Sequence, residues 1–378
     1  MNQLYNLVNQ ENNRKLLLNT IRNGHIANAY LFHGPEGSGQ EGFALEYAAM
    51  LNCHAREDQP CGECPSCHKM KTLEHGNIHL VFPIQTGHIA KDDPPFKNFG
   101  PDDMEEVQNC IKKKAANPYE KLCPFDGKHI PINFIREIRK KIYLTAPESG
   151  YKVVIVFDAD LMLEPAANAF LKILEEPPEK TTLILTTSNL NALLPTIRSR
   201  CQTLYFPALS TTELGNHLRK NGIREDQINL VIRLSGGDVR QAIQLKEADL
   251  GRLRKITLET LRMVATWKID KVYDLVNQFV MLRKENPDEF DRLMFSISFW
   301  FRDAAILKAG KPESELVHAD MQTELRKFVD YYTELDAFGA YSAVDNCIDL
   351  TSRNVYINLA LVNMFFKIHN RIQPGKSQ

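Results

Sequence analysis

Apolar residues follow two different patterns along the chain. Up to about residue 207 they gather in short unbroken runs, Ala29-Tyr30-Leu31-Phe32, Ile78 to Ile84, Lys152 to Phe157 (KVVIVF) and Thr182 to Thr187 (TLILTT). Between these runs lie stretches in which apolar positions recur every three or four residues. Short continuous runs read as strands covered on both faces, and their alternation with helices predicts a parallel sheet flanked by helices. Helices are predicted from Gln10 to Asn23, Glu41 to Leu51 and Pro165 to Glu175, and the spacing Ile132, Ile135, Ile138, Ile142 marks a further amphipathic one. Pro165 suits a first helical turn, where its missing N–H has no partner anyway, and Pro177-Pro178 stops that helix.

After Pro207 the strand-like runs cease. Ser210 to about Lys246 reads as a compact helical unit around the turn Gly236-Gly237. Helical spacing continues through Ile256–Phe279, Phe290–Leu307, Glu324–Leu335 and Ala343–Ile368. The expected architecture is an α/β domain over 1–207, a small helical domain over 208–250 and an all-α domain over 251–378. Residues 86–129 interrupt the first domain. They lose clear periodicity, gather Pro94, Pro95, Pro101, Pro118 and Pro124, and are expected to be partly helical around Met104 to Ala115.

Composition narrows the class more than the function. The chain has 378 residues, enough for two or three domains, and 46 basic residues against 47 acidic ones. Any nucleic-acid contact therefore depends on a local patch or on partner subunits, because the overall field is weak. The start of the chain lacks the basic and apolar regions of a signal peptide, and no stretch approaches the ~20 apolar residues of a membrane helix, so a cytoplasmic location is expected.

The segment Gly34-Pro35-Glu36-Gly37-Ser38-Gly39-Gln40-Glu41 has the outline of a phosphate-binding loop, G-x-x-x-x-G-K-[ST], placed after a strand and before a helix. The two residues that act on a nucleotide are missing. A working loop uses a lysine on the β- and γ-phosphates and a hydroxyl on Mg²⁺. Here Gln40 is neutral and Glu41 is an anion. A carboxylate ~4 Å from one phosphate charge costs on the order of 4 kcal/mol at an effective dielectric constant near 20. ATP binding is therefore not expected, and the glycines Gly34, Gly37 and Gly39 read either as a turn kept for strand–helix packing or as a residual anion cradle. The strand from Lys152 ends Phe157-Asp158-Ala159-Asp160, which puts an apolar ring where a metal-binding Asp belongs; Asp158 and Asp160 read as caps or turn formers.

Of eight cysteines, four lie close together as Cys53-x7-Cys61-x2-Cys64-x2-Cys67. Four thiolates at these spacings converge on one tetrahedral ion, and a set with no open position describes a structural Zn²⁺ site. Free buried cysteines or an iron–sulfur cluster are the other readings of the same residues.

Several segments together resemble the clamp-loader branch of the AAA+ family. They are His25-Ile26-Ala27-Asn28-Ala29-Tyr30-Leu31-Phe32, the inserted four-cysteine module, Asn168-Ala169-Phe170-Leu171-Lys172-Ile173-Leu174-Glu175-Glu176-Pro177-Pro178, and Ser199-Arg200-Cys201. The resemblance spans about residues 10–85 and 130–245. It implies a lid role for 208–250 and an oligomerising collar for 251–378. It also implies that Arg200 reaches across a subunit boundary to a neighbour's γ-phosphate, while Arg198 lies two positions away with the same strand parity. Gly236-Gly237-Asp238-Val239-Arg240 is similar to the segment whose arginine senses the subunit's own nucleotide, so Arg240 is either a sensor or a relic.

The implied function is that of a subunit without intrinsic ATPase activity, which helps a DNA polymerase III complex load its sliding clamp on primed DNA, with tau/gamma and delta subunits as partners. An active ATPase of the same family is the second reading. A zinc-dependent nucleic-acid-binding module using Lys69 and Lys71 is the third. The basic side of the 132–142 helix, with Arg136, Arg139 and Lys140, reads as a DNA-facing surface or as an ordinary solvated face.

Overall fold

The computed structural model describes residues 4–5, 7–8, 10–55, 59–85, 93–247, 250–352 and 356–373. Parts of the expected insertion (86–92) and of the cysteine module (56–58) lie outside them. The chain divides into two units, Met1–Glu213 with Asp238–Arg240, and Leu214–Gly237 with Gln241–Gln378.

The first unit is built on a parallel sheet of β1 (Ala29–His33), β2 (Ile78–Val81), β3 (Lys152–Val156), β4 (Thr181–Thr187) and β5 (Gln202–Tyr205), in the order β2-β3-β4-β1-β5. Four of these strands were legible as apolar runs. Their continuity has the expected cause: every residue of β4 and nearly all of β1 and β3 are buried. The edge strand β5 was not predicted, because only Leu204 of its four residues points inward and the run carries no apolar signal. β2 ends at Val81, short of the Ile84 expected; Ile84 instead pairs across an isolated bridge with His129.

Among the described residues, the sheet is accompanied by α1 (Glu11–Arg22), α2 (Gln40–Asn52), α3 (Pro65–Lys71), α4 (Pro101–Ala116), α5 (Ile132–Tyr143), α6 (Glu164–Glu175) and α7 (Pro195–Arg198). Buried Arg14 of α1 forms paired hydrogen bonds to the Glu46 carboxylate of α2, at 3.3 and 3.2 Å, which fixes the opening helix. In α5 the isoleucine stripe turns inward as expected, with Ile135, Ile138 and Ile142 buried together with Phe134. Parallel pairing places His33 beside Thr187 and Val156 beside Leu185. The loops that follow β1, β3 and β4 therefore open on one edge, the position where α/β sheets hold their ligands.

The second unit is helical among its described residues: α8 (Thr211–Lys220, from Leu214 on), α9 (Glu225–Ser235), α10 (Val239–Glu247, from Gln241 on), α11 (Leu250–Thr266), α12 (Ile269–Glu285), α13 (Pro287–Lys308), α14 (Gln322–Tyr331), α15 (Ala337–Ser352) and α16 (Ile357–Ile372). Its core is centred on α13, whose Phe290, Trp300 and Phe301 are buried among Phe279, Leu361 and Phe365. Two expected helices are each two. Ile256–Phe279 breaks at Trp267, whose φ of 45° is left-handed and cannot continue a helix, and Ala343–Ile368 is shared between α15 and α16. Apolar spacing carries across such a break because both helices face one core.

Candidate functional site

The loop between β1 and α2 keeps the backbone form of a phosphate cradle. Gly37 has φ +72°, and a Cβ there would lie 1.9 Å from the Asp238 carboxylate; a Cβ on Gly34 would lie 2.0 Å from the Phe206 carbonyl oxygen. Only glycine fits at either position. What the loop lacks in chemistry it replaces with contacts to itself. Buried Ser38 donates its hydroxyl proton to the Gln40 side-chain oxygen at 2.7 Å, and the Gln40 amide folds back toward the Gly34 and Pro35 carbonyls, at 3.4 Å each. The residue in the lysine position therefore points into the loop's own backbone.

Glu41 faces a cation that the sequence reading did not assign. Lys114, fully buried on α4 of the insertion, forms an ion pair with the Glu41 carboxylate. It also donates to the carbonyl oxygens of Pro118 and Glu120, at 2.8 and 2.6 Å, and its ammonium lies 5.1 Å from the centre of the Phe157 ring. Three acceptors match the three N–H bonds of a lysine, so the buried charge is fully paired. The role of the insertion, opaque in the sequence, is thus to cover the loop. A signal was present: Lys114 lies seven positions after buried Val107 and so on the same helix face, whereas Lys112 and Lys113 are exposed.

Tyr119 completes the cover. It is buried, its ring stands 3.4 Å from where a Cβ on Gly39 would lie, and its hydroxyl oxygen accepts a hydrogen bond from the Val8 N–H at 2.7 Å. Lys121 and Arg240 both pair with Glu36, at 2.9 and 3.2 Å. Burial works against the Glu36 anion, yet Lys121 and Arg240 hold its carboxyl below the usual range. Arg240 thus lies at the loop, paired with a carboxylate of the loop itself.

Asp158 lies at the same edge in a left-handed turn, φ 46°, with its N–H donating to the Thr186 hydroxyl at 3.3 Å. Burial, and after it the Glu41 charge, push its carboxyl up to about 7. Asp160 accepts from the Thr187 hydroxyl at 2.5 Å, a turn-stabilising bond of the kind expected. The cavity enclosed by these groups measures about 20 Å³. That is room for a water molecule, against several hundred Å³ for a nucleotide-sized ligand.

Arg200 does not line that cavity. It sits in the turn after α7, not on a strand, so the parity expected to relate it to Arg198 does not apply: Arg198 closes α7 and Arg200 follows it. The guanidinium is exposed, donating to Glu175 Oε1 at 3.0 Å and to the Thr196 carbonyl at 3.1 Å. Burial pushes the neighbouring Cys201 thiol up to about 12, which keeps it neutral.

The four cysteines converge. Their sulfurs all lie within 4.8 Å of one another, and those of Cys61 and Cys67 are 3.9 Å apart. Four sulfurs at ~2.3 Å from one tetrahedral ion stand about 3.8 Å apart. Backbone N–H groups of Cys61, Cys64 and Cys67 point at the sulfurs of Cys53, Cys61 and Cys64, at 3.3 to 3.4 Å, an arrangement that favours thiolates. Burial opposes a Cys64 thiolate, but N–H donors from His54 and Cys67 bring its thiol down to about 6, while burial and the nearby sulfurs push Cys67 up. Without a cation the cluster cannot ionise together; the donor set fits a metal ion. Lys69 and Lys71, the proposed phosphate grips of the nucleic-acid reading, are engaged elsewhere, Lys69 with Glu148 at 2.8 Å and Lys71 with the Gly62 carbonyl at 2.8 Å.

On the basic side of α5, the residues Arg136, Arg139, Lys140 and Tyr143 line a surface groove of about 520 Å³ together with Asp93, Pro94, Asn133 and Glu137. Asp93, from outside the helix, joins Glu137 in the wall and makes the groove less basic than the helix sequence alone suggests. No helix among the described residues is long and apolar enough to cross a membrane.

Comparison with known proteins gives these features a context. Residues 9–210 match the model of the family described as DNA polymerase III, delta subunit. The chain is 25% identical to the DNA polymerase III subunit delta′ of Bacillus subtilis over 317 residues, 83% of this chain and 82% of that one. It is 32% identical to the delta′ subunit of Haemophilus influenzae over 179 residues, 47% of this chain and 42% of that one. The match to the tau subunit of B. subtilis, 25% over 360 residues, spans 90% of this chain but only 56% of tau. A DNA polymerase III gamma subunit-related protein of Thermotoga maritima aligns over 98% of this chain and all of its own at 19% identity, with a TM-score of 0.40 that is too low to carry an argument.

Proposed function

The chain belongs to the DNA polymerase III delta subunit family, and from that premise we propose that it is a delta′-type clamp-loader subunit that neither binds nor hydrolyses ATP. The observation that carries this reading is the state of the phosphate loop. Gln40 is turned into the loop's backbone, Glu41 is neutralised by Lys114, Phe157 stands where a metal-binding carboxylate belongs, and the remaining cavity measures about 20 Å³. Phosphoryl transfer depends on positioned positive charge and metal, and the positive charges here are already bound to the protein's own carboxylates.

In this reading the chain acts on ATP held by others. Arg200, exposed on a turn and absent from its own cavity, supplies positive charge to the γ-phosphate of a neighbouring tau/gamma subunit, a contribution worth a factor of ~10³–10⁵ where such arginines operate in trans. The four cysteines hold a structural Zn²⁺. Residues 208–250 serve as the lid domain and 251–378 as the collar that joins tau/gamma and delta subunits in one assembly around the sliding clamp and primed DNA. Leu359, Val362 and Phe366 support the collar role: at spacings of three and four they leave an apolar stripe on α16 that is 43 to 66% exposed.

The test is reconstitution of the loader with its partner subunits. Arg200→Ala is expected to depress DNA- and clamp-dependent ATP turnover by at least an order of magnitude while leaving assembly intact. An unchanged turnover would remove the trans-arginine role.

A further inference from the structure

The positions that hold Mg²⁺ in a working phosphate-loop enzyme are the loop's last residue and a carboxylate at a strand end, here the end of β3. In this chain those positions are Glu41 and Phe157, and one group touches both. The Lys114 ammonium is paired to the Glu41 carboxylate and lies over the Phe157 ring at 5.1 Å. Its remaining ligands are two carbonyl oxygens, of Pro118 and Glu120. A carboxylate and two carbonyls are the hard oxygen donors a divalent ion takes. The same region contains a stand-in for the anion. Glu36 lies between Lys121 and Arg240, and Arg240 belongs to the segment that would otherwise read a bound phosphate.

We infer that segment 114–121 of the insertion, together with Glu36 of the loop, is a tethered substitute for Mg²⁺·nucleotide: Lys114 takes the metal's place, and Glu36, clamped by Lys121, takes that of the phosphate that Arg240 would read. The inference rests on the reading of the chain as non-hydrolytic and adds what the loop does instead. Asp238, Val239 and Arg240 are held on the loop by protein groups alone: Val239 N–H reaches the Gly37 carbonyl at 3.4 Å, the Asp238 carboxylate closes over Gly37, and Arg240 reaches Glu36. This chain keeps one state whether or not ATP is present.

Two consequences can be measured on the full chain. If Lys114 replaces a metal ion, removing it should create a site for one: Lys114→Ala leaves the Glu41 carboxylate and two carbonyl oxygens around the vacated position. The variant is expected to melt at a lower temperature than the wild type and to regain part of that loss in millimolar Mg²⁺ or Mn²⁺, with the wild type unmoved. No response of the variant to either ion, or an equal response of the wild type, overturns the metal substitution. If Glu36 replaces the phosphate, Glu36→Gln should speed hydrogen exchange at the amides of 238–240 by about tenfold or more while the protection of α2 is unchanged. Unaltered exchange there overturns the phosphate substitution, even should Lys114→Ala fail to fold. Failure of the non-hydrolytic reading is a separate result, seen as Mg²⁺·ATP slowing exchange at 34–41 in the wild type.

Discussion

The phosphate loop and the cysteine module pose the same electrostatic problem and solve it differently. Around the loop, Glu36, Glu41 and Asp158 crowd one edge of the sheet, and the chain sends Lys114, Lys121 and Arg240 to meet them. Around the cysteines four sulfurs converge within 4.8 Å, and the two nearest lysines are bonded elsewhere. The carboxylate cluster carries its counter-charge on the same chain; the sulfur cluster has no such partner among the described residues and offers a donor set that fits a metal ion. On the proposed function, the loop is complete without a ligand, whereas the module calls for a metal ion. A degraded catalytic motif is thus not an empty one, and a preserved donor set is not yet a filled one.

The contrast is broken most forcefully at the cysteines. One zinc ion per chain is expected by elemental analysis, and its removal by a strong chelator, or Cys64→Ser, should unfold the module. Structural zinc contributes on the order of 10 kcal/mol in small zinc domains, so a large drop in melting temperature is expected. A metal-free chain with unchanged melting would refute the zinc assignment.

Loss of one partner of the buried Lys114 pair comes next. Lys114→Ala strands the Glu41 carboxylate, and breaking such a pair costs about 3–5 kcal/mol, read by denaturant unfolding of the first unit. The double variant Lys114→Ala, Glu41→Gln removes both charges and should recover much of the loss.

Asp158 sharpens the comparison through pH. Its carboxyl is at about 7 in the folded chain against an ordinary 3.8. A raised carboxyl stabilises the fold while protonated, so this contribution falls as pH rises from 3.8 towards 7 and is absent above. Asp158→Asn, which tolerates the left-handed backbone at that position, should flatten this decline, with a gain over wild type of up to a few kcal/mol near pH 8. An identical pH profile for the two chains would show that the loop cations neutralise Asp158 fully. At the small end, Arg200→Ala should change stability by no more than ~1 kcal/mol, because its ion pair with Glu175 is exposed.

Much of this was legible in the sequence, for physical reasons that can be named. Strands buried on both faces, such as KVVIVF and TLILTT, show as unbroken apolar runs, and the spacing of Cys61, Cys64 and Cys67 is dictated by the geometry of one ion. Three features were not legible. β5 is an exposed edge whose pairing with β1 comes from the sheet and not from its own residues. The turn that carries Arg200 follows a one-turn helix too short to show a period. The partnership of Lys114 with Glu41 joins residues 73 positions apart, and no local pattern encodes it. A substitution that looks like a loss in the loop, Glu41 for a hydroxyl, is intelligible only beside the insertion that answers it.

The most direct measurement is a calorimetric titration of Mg²⁺·ATP into the purified full-length chain. A loop filled by Lys114 and Tyr119 predicts no binding heat and no phosphate release at any nucleotide concentration. Saturable, Mg²⁺-dependent binding by the wild-type chain would contradict the account.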